Sequence, residues 1–170
     1  MEVLEKRQKR ITDQKSDLGF SKLDKAEVVT SLNQLLADYA IHYQKLRNFH
    51  WNVTGPDFFD LHDKFENMYN DAQDKIDDVA ERIRVFDGRP FSTYNEFLSN
   101  GNLKEINKEI RSMEMVHEIL NDFQVLINDI THVVSIAEAT GDTGTEDMML
   151  DFTKYLEKQH WMLKSFIKQG

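Results

Sequence analysis

Between Gly55-Pro56 and Gly88-Arg89-Pro90 the chain carries an unbroken helical pattern of apolar residues. Phe58, Leu61, Phe65, Met68, Ala72, Ile76, Val79, Ile83 and Phe86 recur every three or four residues, which marks one face of an α-helix. Gly-Pro breaks the chain before this pattern and Gly-Arg-Pro stops it after. The spacing predicts one helix over about 58–86, with Asp57 as its N-cap. A helix this long with a single apolar face must bury that face against other helices, so the molecule is expected to be a bundle.

The opposite face of the same helix carries the chemistry. His62 and Glu66 are four residues apart and share a side, as do Asp77 and Glu81. From Glu66 to Asp77 is close to three full turns, so all four residues project from nearly one side. That interval also rises roughly 16 Å along the axis at 1.5 Å per residue. Metal bonds to imidazole and carboxylate are roughly 2.0–2.2 Å, so the two pairs cannot close on one ion within a single helix. Each pair is half a site. Two copies packed antiparallel about a twofold axis near Asp71–Ala72 would bring His62/Glu66 of one subunit to Asp77/Glu81 of the other, and would make two such sites at once.

The rest of the chain fits a bundle of four long helices. Residues 1–23 lack a sustained apolar period and read as an arm, and residues 24–170 read as one domain. Asp24 with Glu27 resembles a capping box opening a first helix over about 25–53, whose stripe includes Leu32, Leu36, Tyr39, Tyr43 and Leu46. His50 lies on that stripe. After the second helix, Ser92 or Thr93 can cap a short helix around 93–99. A third long helix is expected over about 104–139, ending at Thr140-Gly141-Asp142-Thr143-Gly144, and Thr145 is expected to cap a fourth over about 146–168. Short links join the first helix to the second and the third to the fourth, with a long link between the pairs. That describes a ferritin-like bundle with one crossover carrying a short extra helix, although a plain up-down bundle with a decorated loop has the same pattern.

Composition narrows the chemistry. With no cysteine among 170 residues, a metal site must use histidine and carboxylate. Hydrophobic residues make up 40% and no apolar run approaches a membrane span, which favours a globular protein. The opening MEVLEKRQKR has no apolar signal core, so a cytoplasmic location is expected. Lys6, Arg7, Lys9, Arg10 and Lys15 leave residues 1–15 with an excess of two positive charges, and the remainder with eleven negative ones in a chain of net charge −9. The acidic body suits cations, and the basic arm suits DNA or another polyanion.

The run FHWNVTGPDFFDLHDKFENMYNDAQDKIDDVAERI, followed by GRPFSTYNEFL, resembles the signature of the Dps proteins, the mini-ferritins named for DNA protection during starvation. The ending EKQHWMLKSFI is similar to their last helix. The resemblance spans about residue 25 to the end and leaves out the arm. It implies an all-α, ferritin-like four-helix bundle assembled as a homododecamer. It further implies oxidation of Fe(II), with hydrogen peroxide or dioxygen, at a di-iron centre between twofold-related subunits. Fe(III) mineral would be stored inside the shell, and some members bind DNA through a basic tail. By matching position, His50, His62 and Glu66 would be ligands from one subunit, and Asp77 and Glu81 from its partner. Glu66 stands where the family usually has Asp. Trp51 would pack beside the site, Asp142, Glu146 and Asp147 would line iron-entry pores, and Asp63 would face the cavity.

Other readings stand beside this one. Alone, His50 reads as a hydrogen-bonded core histidine, and the acidic residues read as a solvated helix face. Glu114-x-x-His117 and Glu157-x-x-His160 are two Glu-x-x-His motifs of the kind used by self-contained intrachain di-iron carboxylate proteins. Here they fall on the third and fourth helices, whereas that arrangement needs the second and fourth. A DNA-compacting shell in which the basic arm outweighs iron is the remaining alternative. His42 and His132 have no partner evident from spacing.

Overall fold

The computed structural model describes residues 18–168, which form four long helices and one short one. In chain order these are α1 (Lys22–Asn52), α2 (Phe58–Val85), α3 (Tyr94–Asn100), α4 (Ser112–Thr140) and α5 (Thr143–Ile167). No strand occurs among the described residues. The basic arm Lys6, Arg7, Lys9, Arg10 and Lys15 lies outside them.

Side-chain contacts give the direction of each helix. Lys25 at the start of α1 reaches Asp87 just beyond α2, and His50 at the end of α1 meets His62 near the start of α2, so α1 and α2 are antiparallel. His42 pairs with Asp122, and Asp38 lies beside Asp129, so α1 is antiparallel to α4 as well. It follows that α2 and α4 are parallel, and Asp57 Oδ2 accepting from Ser112 Oγ at 3.2 Å ties their first turns together. α2 is 28 residues, roughly 42 Å at 1.5 Å per residue, and the link to α4 must run back along that whole length. This parallel pair rules out the up-down bundle and gives the ferritin-like crossover.

Termini account for most differences from the sequence reading. Ser21, not Asp24, is the N-cap of α1. Its hydroxyl accepts from the Asp24 N–H at 3.1 Å, and Asp24 returns the capping box from the third helical position. Thr93 caps α3 reciprocally with Glu96 as expected. α4 begins at Ser112 rather than near 104, because α1 claims the backbone of the preceding segment. Asp38 Oδ1 accepts from the Leu103 N–H at 2.7 Å, and Asn48 Nδ2 donates to the Ile106 carbonyl at 2.9 Å. The Ile106 carbonyl, which a helix would have used internally, is paired with a side chain instead. α5 is capped by Asp142 rather than Thr145. Asp142 accepts from the Thr145 N–H and hydroxyl and pairs with Arg82 from α2.

The four long helices share one core, with Leu32, Phe49, Phe65, Ile83, Phe123 and Leu126 fully buried. α1 packs on both α2 and α4, which is why it is buried around most of its circumference. α2 is buried along Leu61, Phe65, Met68, Ala72, Lys75, Val79 and Ile83. The remainder of α2, including its acidic face, is open.

Candidate metal centre

The last turn of α1 and the first turn of α2 place two imidazoles face to face. The rings of His50 and His62 stack with centroids 3.8 Å apart and planes 21° from parallel. Each ring binds the other residue's backbone: His50 Nδ1 lies 2.8 Å from the His62 carbonyl oxygen, and His62 Nδ1 lies 2.8 Å from the His50 carbonyl oxygen. A carbonyl only accepts, so both Nδ1 atoms carry protons. In the neutral rings both Nε2 atoms therefore present lone pairs, and neither makes a hydrogen bond within the described chain. Fixing the tautomer through the distal nitrogen is how metal-binding histidines are commonly oriented. The reciprocal pair needs the tight Gly55 turn, at φ 100°, to bring the two helix ends together.

Glu66, Asp77 and Glu81 are all exposed on the open face of α2, and His62 is half-buried beside them. Among the described residues no three histidine or carboxylate groups converge closely enough to hold an ion. A single chain thus offers one imidazole pair with a nearby carboxylate and, further along the helix, two more carboxylates. Tyr69 borders the first group. Its ring meets His50 edge-on at 5.4 Å, and its hydroxyl lies 3.4 Å from Glu66 Oε1. Partial desolvation and then the Glu66 carboxylate raise the Tyr69 phenol above its ordinary range, which keeps it a donor. Trp51 is 58% exposed and stacks under the Arg47 guanidinium at 4.7 Å.

The other predicted residues sort by burial. Glu114 and His117 are exposed, and Glu114 is engaged by Arg111 as a cap of α4. Glu157 is exposed and His160 half-buried. These two motifs do not meet in the bundle interior. The interior holds instead the ammonium groups of Lys45 and Lys75, which are 5% and 7% exposed and are ion-paired to Asp122 and Asp71. Of the three acidic residues before and in the first turn of α5, Asp142 is buried and occupied by Arg82 and Thr145. Glu146 is half-buried and Asp147 exposed. Asp63 is exposed.

The interior polar groups were not found from spacing. His42, for which spacing shows no partner, binds Asp122 Oδ2 at 2.8 Å, and Lys45 Nζ binds Asp122 Oδ1 at 2.6 Å, all three buried. Asp38 accepts from Leu103 N–H and the Gln34 amide and shares a hydrogen bond with Asp129. Lys75 binds Asp71 and lies over the Tyr155 ring at 3.9 Å. Charged residues within the apolar stripe of α1 are the only sequence signal of these pairs. Their partners sit up to 80 residues away, beyond the reach of periodicity.

Comparison with known proteins agrees with this architecture. Residues 29–170 match the model of the ferritin-like domain. A DNA protection during starvation protein of Brevibacillus brevis is 38% identical over 141 residues, covering 83% of this chain and 95% of the relative. General stress protein 20U of Bacillus subtilis is 36% identical over 141 residues, covering 83% and 97%. Among solved structures, the Dps protein of Vibrio cholerae O1 superposes with a TM-score of 0.88 at 34% identity, covering 91% of this chain and 97% of that one. That protein is described as a member of a broad superfamily of ferritin-like diiron-carboxylate proteins. With the bundle, the parallel α2/α4 pair and these likenesses together, the chain belongs to the Dps family of ferritin-like proteins.

Proposed function

We propose that this protein oxidises Fe(II) and stores the resulting Fe(III) inside a dodecameric shell, at centres that two subunits build jointly. The observation that carries this reading is the reciprocal His50/His62 pair, which holds two unprotonated Nε2 atoms beside Glu66 on an exposed helix face. Asp77 and Glu81 of a twofold-related copy complete the donor set, with Glu81 bridging. Imidazole and carboxylate suit Fe(II), and the oxygen donors hold Fe(III) more strongly as it forms. Two Fe(II) ions each give one electron to hydrogen peroxide. The O–O bond breaks, and with two protons the products are two Fe(III) and two waters. Delivering both electrons together avoids a hydroxyl radical, and dioxygen is the alternative oxidant.

Each group has a defined task in this scheme. The Nδ1–H bonds hold the imidazoles in the binding tautomer, and the carboxylates neutralise the ions and keep them adjacent. Glu146 on the first turn of α5 and Asp147 just after it are the acidic residues left to line an entry pore, since Asp142 is consumed as a cap. Protection of DNA follows from removing Fe(II) and peroxide together, and direct contact would fall to the arm from Lys6 to Lys15. The location is cytoplasmic in this reading.

The test is anaerobic loading of the purified shell with Fe(II), followed by peroxide, while Fe(III) absorbance is recorded. His62→Ala and Glu81→Ala should each slow the rapid phase about a hundredfold, the upper range for lost metal-site contacts. Glu114→Ala should leave it unchanged. Loss with Glu114→Ala and retention with His62→Ala would transfer the centre to the Glu-x-x-His motifs.

A further inference from the structure

We propose that Tyr69 is a positioning residue for the metal-binding half-site, fixing Glu66 through its hydroxyl and His50 through its ring. This rests on the inter-subunit centre above. Glu66 has one more side-chain torsion than an aspartate at the same position, and it projects from an exposed face of α2. Left alone, its carboxylate samples several rotamers, and ordering it on an ion costs side-chain entropy. Tyr69 stands three residues further on, one turn along the same side of the helix. Its hydroxyl lies 3.4 Å from Glu66 Oε1, a long contact that shortens when the carboxylate settles. Binding one carboxylate oxygen leaves the other free for metal.

The same phenol also reaches the other helix. Its ring stands edge-on to His50, with centroids 5.4 Å apart and planes at 81°. From the far side, Tyr43 of α1 meets the Tyr69 ring at 6.1 Å and 85°. Tyr43 in turn lies under the Arg47 guanidinium at 5.3 Å, which also covers Trp51. Tyr69 is therefore held between two α1 side chains while it holds a residue of each helix. Donors from α1 and α2 are set in a fixed mutual geometry before any partner arrives, and such support is what makes a site precise. Tyr69 thereby offsets the extra freedom of Glu66.

The experiment uses Co(II) as a redox-inert probe on assembled shells of wild type, Tyr69→Phe, Glu66→Asp and the double variant. Affinity is read by calorimetry and geometry by the Co(II) visible absorption. Tyr69→Phe should weaken binding about tenfold and change the band intensities. In the Glu66→Asp background, where the shorter carboxylate cannot reach the phenol, the same substitution should change affinity less than twofold. Wild-type binding by Tyr69→Phe overturns the proposal, and so does an equal loss in both backgrounds, which would mark Tyr69 as general packing. His62→Ala is measured alongside. If it binds Co(II) normally, the centre itself is wrong, and that failure is distinguishable from a silent Tyr69.

Discussion

Two carboxyl groups on facing helices, Asp38 of α1 and Asp129 of α4, lie side by side. Asp38 is fully buried and already accepts from the Leu103 N–H and the Gln34 amide, with the Asn102 amide at 3.4 Å. Asp129 has one buried oxygen with no partner, and burial, then its hydrogen bond and repulsion with Asp38, push its carboxyl up to about 7. The unfolded chain binds this proton only below its ordinary value of 3.8, so between there and about 7 the folded state holds the extra proton. Stability from this pair is complete below that window and declines as pH rises through it. Asp129→Asn keeps a donor to Asp38 and removes the titration. Its melting temperature should be close to wild type near pH 3.5, rise above it progressively through the window, and exceed it by several degrees at pH 8. Parallel melting curves for the two proteins across that range would show that the pair does not titrate there. His50 and His62 were set in one site by the family resemblance rather than by spacing, although they flank a single turn, whereas Asp38–Asp129 and His42–Asp122 join residues far apart in the chain. Periodicity shows that such residues face the core but not which residue they meet.

Helix extents were legible wherever apolar period and chain breaks coincided, as in α1 and α2, and less so where side chains compete for backbone. The expected start of α4 came eight residues too early because the sequence of 104–111 is helix-compatible. Asp38 and Asn48, more than fifty residues upstream, anchor the segment by bonds to the Leu103 N–H and to the Ile106 carbonyl, the latter a group such a helix would need. The α5 cap shows the same limit: Thr145 is a good N-cap by type, but Arg82 from α2 draws Asp142 into that role. The Asp142 side chain is 1% exposed and binds the Thr145 N–H, the Thr145 hydroxyl and Arg82. Asp142→Ala removes a cap and leaves a partly buried guanidinium unpaired, a loss of about 2–3 kcal/mol. Chemical denaturation of the wild type and variant measures this. A change under about 0.5 kcal/mol, the range of an ordinary surface substitution, would mean the cluster adds nothing to stability.

At the scale of the assembly, the spacing of the candidate ligands along α2 already points to completion by a twofold-related copy, and among the described residues of one chain no three of these groups converge. α2 is open along its acidic face while α1 is enclosed, and the parallel α2/α4 arrangement leaves that face outside the bundle. If each centre draws His50, His62 and Glu66 from one subunit and Asp77 and Glu81 from its partner, two inactive variants can rescue one another. Consider shells co-assembled from His62→Ala and Glu81→Ala subunits. Every pair of identical subunits has two damaged centres. A mixed pair has one centre carrying both substitutions and one carrying neither, since the intact His62 and the intact Glu81 meet across the twofold axis. Random pairing makes about half the pairs mixed, so about a quarter of all centres should regain wild-type oxidation. Light scattering first verifies that each preparation has a mass near 240 kDa, about twelve copies of the 20.0 kDa chain. Fe(II) oxidation by peroxide in the mixed shells then reads the recovery, with a physical mixture of preassembled variant shells as the baseline. An intrachain centre predicts no recovery at any mixing ratio. A shared centre predicts recovery that is greatest at equal proportions and falls off symmetrically on either side, because the number of mixed pairs follows the product of the two fractions.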